Sequence, residues 1–230
     1  MNDRPNMTPF RLDRFLAGEG RITAGTSDGD RFEELLAVIK AALDKEWELS
    51  DDLLKSSRLE TEKAAIIGIE KDVRQMTASI RSILTRENLL AEPFPPYYPD
   101  LTEAVFAELY GLSGIAPWAF DWTESYAKSS SAKLIGDRLY CLIDGKSCLQ
   151  PQRITAKRRA QLIHALLLAT PKERKETGFH EVYLHNGIRV TIYSGERSKN
   201  GQDVIVFRKY VMKQLSFEAL AETGTFPMED

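Results

Sequence analysis

The stretch Glu181-Val182-Tyr183-Leu184-His185-Asn186-Gly187-Ile188-Arg189-Val190-Thr191-Ile192-Tyr193-Ser194 decides the fold. Two β-forming runs, Glu181 to Leu184 and Ile188 to Ser194, flank Asn186-Gly187. That dipeptide suits a tight hairpin turn, whose central residues need positive φ. The same grammar recurs upstream. Ala132 to Ile135 and Arg138 to Ile143 surround Gly136-Asp137, and Asp144-Gly145 leads into Lys146 to Leu149. A further strand, Asp203 to Tyr210, follows the loop Gly195 to Gly201. Between the strand groups, Ala156 to Ala169 reads as a helix with Thr155 as N-cap, Pro171 as stop, and Ile163, Leu166 and Leu167 turned inward. A short helix from Ser216 with Phe217 and Leu220 apolar ends the series, with Gly224 just past it. Strands in hairpins with interspersed helices predict an α+β domain, an antiparallel-rich sheet with helices packed on one face.

Upstream the period changes from two to that of a helix. Phe32, Leu35, Leu36, Ile39, Leu43 and Trp47 form one amphipathic stripe, with Asp28 or Asp30 as N-cap. After Ser50-Asp51-Asp52 a second helix is expected, with Leu59, Ile66, Ile69, Val73, Met76, Ile80 and Ile83 on the a and d positions of a heptad. Glu62 in one d position and Gly68 in the surface favour a small bundle over a long coiled coil. Pro93, Pro95, Pro96 and Pro99 close this region, since proline lacks the backbone donor and disfavours helix before it. Leu101 to Leu112 is a short helix leading into a Gly- and Pro-marked turn through Trp118. The expected organisation is therefore a tail over 1–30, a helical bundle over 31–100 and an α+β domain over 101–230.

Composition bounds the function. The 230 residues are 43% hydrophobic and 28% charged, enough for a real core. With 31 Lys and Arg against 34 Asp and Glu, the net charge of −3 supplies no general attraction to phosphate backbones, so nucleic acid is not an expected partner. No aliphatic run approaches the ~20 residues of a membrane-spanning helix. The first residues lack the basic and apolar regions of a secretory signal, so a cytoplasmic setting is expected, with Cys141 and Cys148 as free thiols. No G-x-x-x-x-G-K-[ST] run occurs, so P-loop ATP hydrolysis is not expected of these residues. Gly195 to Gly201 leads into a strand, so it gathers no helix amides around a phosphate.

Arg189 and Arg208 stand in strands, where a rigid sheet can present the guanidinium fork to phosphate oxygens. The plain alternative is a solvated strand arginine. Cys141, Cys148, His180 and His185 have the wrong spacing for a zinc knuckle, and His164 reads as a helix-face histidine. Lys157-Arg158-Arg159 opens a helix where cations oppose the macrodipole, and is expected on a solvated surface. No nucleophile elbow or acid–base pair points to an enzyme complete in itself.

Several segments, in order, resemble one family. Glu108-Leu109-Tyr110-Gly111-Leu112-Ser113-Gly114-Ile115-Ala116-Pro117 resembles the "GLGPLEPLL" entrance segment of the CpaF-like secretion and pilus-assembly ATPases, within the type II/type IV secretion and type IV pilus ATPase superfamily. Leu139 to Lys146 is similar to that family's "Y-V-E-R-x-G-K" hairpin, and Glu181 to Val190 to "D-A-R-L-P-D-G-S-R-V". Ile205-Val206-Phe207-Arg208-Lys209-Tyr210 is similar to "L-T-I-R-R-F", and Gln214 to Thr225 to "L-T-L-E-D-L-V-A-L-G-T". The resemblance implies the N-terminal α+β domain of a hexameric traffic ATPase, preceded by a helical bundle and not catalytic alone. It implies ATP and Mg2+ only together with a RecA-like motor domain, which makes the chain a truncated form or a stand-alone remnant. It also implies phosphate contacts from Arg189 and Arg208, with Lys209 at the second arginine position of the last strand motif. The implied partners are the motor domain, further copies in a hexamer and a membrane platform protein of a secretion or Tad/Flp-type pilus system, at the inner face of the cell membrane. The other reading is an interaction module whose helical bundle docks a partner without nucleotide.

Overall fold

A computed structural model describes residues 28–48, 52–170, 178–199 and 202–211. Of the expected tail over 1–30, residues 1–27 lie outside the described residues and 28–30 open the first helix, and the expected last helix and motif from Gln214 also lie outside the described residues. The chain divides into two compact units: Met1–Ala65 with Glu70–Gly111, and Ile66–Ile69 with Leu112–Asp230.

The first unit is helical. Helices α1 (Asp28–Glu48), α2 (Asp52–Ile66), α3 (Glu70–Arg86) and α4 (Leu101–Leu109) follow one another. The α1 stripe buries Phe32, Leu35, Ile39 and Leu43, α3 buries Met76, Ile80, Ile83 and Leu84, and α4 adds Leu101, Val105 and Phe106. Burying such side chains is worth roughly 1.5–3 kcal/mol each against exposure, which is why these positions, and not helix propensity, hold the unit together. Asp100 caps α4 by accepting from the Glu103 amide at 2.9 Å. Arg58 ties α2 to α1, donating to Asp44 at 2.6 Å and to Glu62 at 2.8 Å.

The structure corrects the expectation of one long heptad helix. The segment is two helices, α2 and α3, separated at Ile67-Gly68-Ile69, where Gly68 has φ +88°. A left-handed residue ends a helix, and glycine adopts it without a Cβ clash. Leu59, counted into the seam, is 46% exposed.

The second unit carries the sheet. A 3-10 turn (Ser113–Ile115) and the short helices α5 (Ala116–Ala119) and α6 (Glu124–Ala127) precede β1 (Ser131–Ile135), β2 (Arg138–Ile143) and β3 (Lys146–Arg153). Helix α7 (Ala156–Leu168) follows, then β4 (Phe179–Tyr183), β5 (Arg189–Tyr193) and β6 (Val204–Arg208). The six strands form one antiparallel sheet in the order β3-β2-β1-β6-β5-β4. With the described helices, this is the α+β architecture expected.

Alternation gives the sheet two faces. Cys141, Ala132, Phe207, Val190 and Val182 lie in register across the strands, as do Leu139, Leu134, Ile205, Ile192 and His180, and all ten are buried. Trp118 packs on this inner face. It is fully buried, meets Phe207 edge-on with ring centroids 6.4 Å apart, and donates from Nε1 to Ser129 Oγ at 2.8 Å. Thr155 caps α7 as expected. Arg159 departs from the solvated reading. It is buried, donates from Nη1 to the Gly136 carbonyl at 2.8 Å and pairs with Asp203 at 3.3 Å, which fastens α7 to the β1–β2 turn.

Candidate functional site

The outer face of the sheet is left open by the described residues, and the strand register arranges it in rows. One row places Tyr183, Arg189, Arg208 and Ser131 side by side, each opposite the next on the neighbouring strand. The next row places Glu181, Thr191, Val206, Lys133, Tyr140 and Leu149 likewise. A third runs from Phe179 through Tyr193 and Val204 to Ile135, with the two aromatic rings 5.3 Å apart.

Arg189 and Arg208 are therefore direct cross-strand partners on one face, Arg189 half-buried and Arg208 exposed. Like charges directly opposite each other in a sheet are destabilising. Among the described residues neither guanidinium has a carboxylate partner to offset this. Two planar forks held side by side on a rigid support can clamp one oxyanion from two directions.

Lys209 is placed elsewhere. Its side chain is one-tenth exposed, donates to the Trp118 carbonyl at 2.8 Å, pairs with Asp121 and lies 4.4 Å above the Trp118 ring. Sequence adjacency put it beside Arg208, whereas strand alternation sends consecutive side chains to opposite faces.

The remaining candidates do not converge. His180 is buried on β4, His185 is exposed in the turn after it, and Cys141 and Cys148 face each other on β2 and β3, with β3 and β4 at opposite edges of the sheet. Among the described residues no group of three or more His, Cys, Asp or Glu is placed to hold a metal ion. Burial pushes the Cys141 thiol up to about 12. His164 is exposed on α7. Residues Gly195–Arg197 form a 3-10 turn, and Gly201 lies outside the described residues.

Sequence reasoning missed Ser131, Lys133 and Tyr140 on the open face. Alternation in Ser131-Ala132-Lys133-Leu134 marks Lys133 as outward-facing. Its placement next to the arginines depends on β1 pairing with β6, which no local signal announces.

By class, the second unit is thus a six-stranded antiparallel sheet with a helix-covered apolar face and an open, cationic one. No protein-family model matches the chain, and no curated protein sequence matches it. Among solved structures it is similar to the VirB11 ATPase of the Brucella suis type IV secretion system, crystallised with sulphate, at 14% identity and a TM-score of 0.41. The likeness covers 50% of this chain and 35% of that one, so the chain spans about a third of that ATPase. No helix among the described residues is long and apolar enough to cross a membrane.

Proposed function

We propose that this chain is the phosphate-clamping and assembly portion of a secretion or pilus-assembly ATPase of the CpaF-like kind, completed by a RecA-like motor domain. The observation that carries the reading is the Arg189–Arg208 pair, in register on an open sheet face without carboxylate partners among the described residues. The order of the family-like segments along the chain supports it as well. In this reading the motor domain holds ATP and Mg2+, and the two arginines meet the terminal phosphates from the opposite side. Further copies form a hexamer at the inner membrane face, next to a platform protein.

The alternative, a bundle that docks a partner without nucleotide, finds less support. Met76, Ile80 and Ile83, the centre of the apolar seam, are fully buried within the helical unit and are not available to a partner.

The test joins this chain to a matching motor domain and replaces both arginines with alanine. ATP turnover is expected to fall about 100-fold or more, the scale of losing preorganised donors to a developing charge. Lysine replacements should recover only part of it, because a point charge lacks the fork. Unchanged turnover in the double variant would remove the assigned role.

A further inference from the structure

The open face carries more cation than the clamp needs. Next to Arg208 across β6 and β1, the sheet has a shallow hollow of about 50 Å³, lined by Ser131, Lys133, Tyr140, Leu142 and Ser147. All five belong to the outer face, and Ser131 is also the cross-strand partner of Arg208, so hollow and clamp are contiguous. Lys133 is exposed and, among the described residues, has no carboxylate partner. Glu181, the one acid in its row, stands three strands away on β4, ~14 Å at the spacing of sheet strands and beyond a Debye length at physiological salt. With Arg138, exposed beside Ile135 in the third row, four cations without an ion pair among the described residues share one face of a chain whose net charge is −3.

We propose that the hollow is a second anion subsite, with the Lys133 ammonium as its charge and the Ser131 and Ser147 hydroxyls as donors. The open face then binds a polyphosphate chain laid across β6, β1 and β2, not a single phosphate. This rests on the clamp reading of Arg189 and Arg208 and extends it. The hollow runs from Ser131 and Lys133 on β1 to Ser147 on β3, one to three strand spacings from Arg208 and two to four from Arg189, roughly 5–14 Å and 10–19 Å at the backbone. Long Arg and Lys side chains and an extended triphosphate close that gap. A lone orthophosphate cannot touch both ends. A hollow of about 50 Å³ is on the scale of one oxyanion. Tyr140 and Leu142 line the hollow together with Lys133 and the two serines.

The test titrates the full chain, without Mg2+, with inorganic triphosphate and separately with orthophosphate, following backbone amide shifts. Triphosphate should shift the amides of Ser131 to Lys133 and of Ser147 together with those around Arg189 and Arg208, with one dissociation constant. Orthophosphate should shift only the arginine group. Lys133→Ala should weaken triphosphate about tenfold, the cost of one charge-assisted contact, and leave orthophosphate unchanged. Lys133→Arg should restore most of the loss. Lys133 is exposed, so its replacement leaves the core intact, which an unchanged unfolding midpoint would verify. If Lys133→Ala binds triphosphate like the parent while Arg208→Ala does not, the second subsite is wrong and the clamp stands. If the parent binds neither probe below ~10 mM, weaker than about −3 kcal/mol, both readings fall.

Discussion

Arg208 and Lys209 are neighbours in sequence with opposite employment. Arg208 faces outward from the sheet, whereas Lys209 reaches the Trp118 carbonyl, the Trp118 ring and Asp121. An ammonium that is one-tenth exposed must be paired, and here a carboxylate, a carbonyl and a ring face all serve it. Replacing Lys209 with Met should cost roughly 1–3 kcal/mol in chemical denaturation, from the lost cation contacts and the carbonyl left with a poorer partner. Orthophosphate affinity should be unchanged, the reverse of Arg208→Ala. A Lys209 variant that keeps full stability and loses anion binding would put this residue back in the clamp. Part of this was legible beforehand. Alternation alone separates residue 208 from residue 209, and it marks Arg189 as a face residue. That Arg189 stands opposite Arg208 was not legible, because the register between β5 and β6 is set across the ten residues 194–203, beyond the reach of tight-turn rules.

Among the elements, local turn chemistry explains what could be read and what could not. Asp144-Gly145 was recognisable because both residues take positive φ, 48° and 73°, as the tight hairpin turn requires. In the same way Thr155 announced α7. The α2–α3 break was hidden by the apolar repeat, which runs through Gly68 without missing a beat, while the glycine's left-handed φ overrides it. The break is also held from outside the helices, since the His185 amide donates to the Ile67 carbonyl at 2.6 Å. Gly68→Ala should therefore destabilise by about 1–2 kcal/mol, the penalty for an L-residue in that conformation, although open space surrounds the site. Equilibrium urea unfolding measures it. A stabilised variant would mean that α2 and α3 can fuse as the heptad suggested. The position of Pro151 has a parallel reason: it falls in edge strand β3, where the pairing register with β2 shifts and no ladder donor is required.

For the whole molecule, the buried titratable groups set a pH limit. Burial, with the charges of Glu108 and Glu33, pushes the Tyr97 phenol from 10.0 up to about 12, and burial likewise raises Tyr110 and moves the Cys141 thiol from 9.0 to about 12. Each group is neutral in the folded chain over a range where the unfolded chain already ionises. The associated stability is complete below about pH 9 and is lost as pH rises toward 12. Urea midpoints followed by circular dichroism should hold steady to about pH 9 and then fall; a flat profile to pH ~11 would contradict the burial of these groups. On the acid side burial works against the Asp44 carboxylate, but Arg58 and Lys40 outweigh it and hold its pKa below the usual value. Its contribution is present above the ordinary carboxylate range and is lost as pH falls through it.

The place of β6 has a consequence for how the molecule comes into being. Residues 131–153 can zip into a local meander, and 179–193 into a hairpin, but each offers a bare edge until Val204–Arg208 slides between β1 and β5. That strand is the last of the six to leave the ribosome and makes the sheet's pairings of greatest sequence separation, with β1, the kind that slow folding and expose intermediates to aggregation. It also brings Arg208. The event that closes the sheet is the one that sets the second guanidinium beside the first, so a half-folded chain lacks the two-arginine arrangement on which the proposed clamp depends.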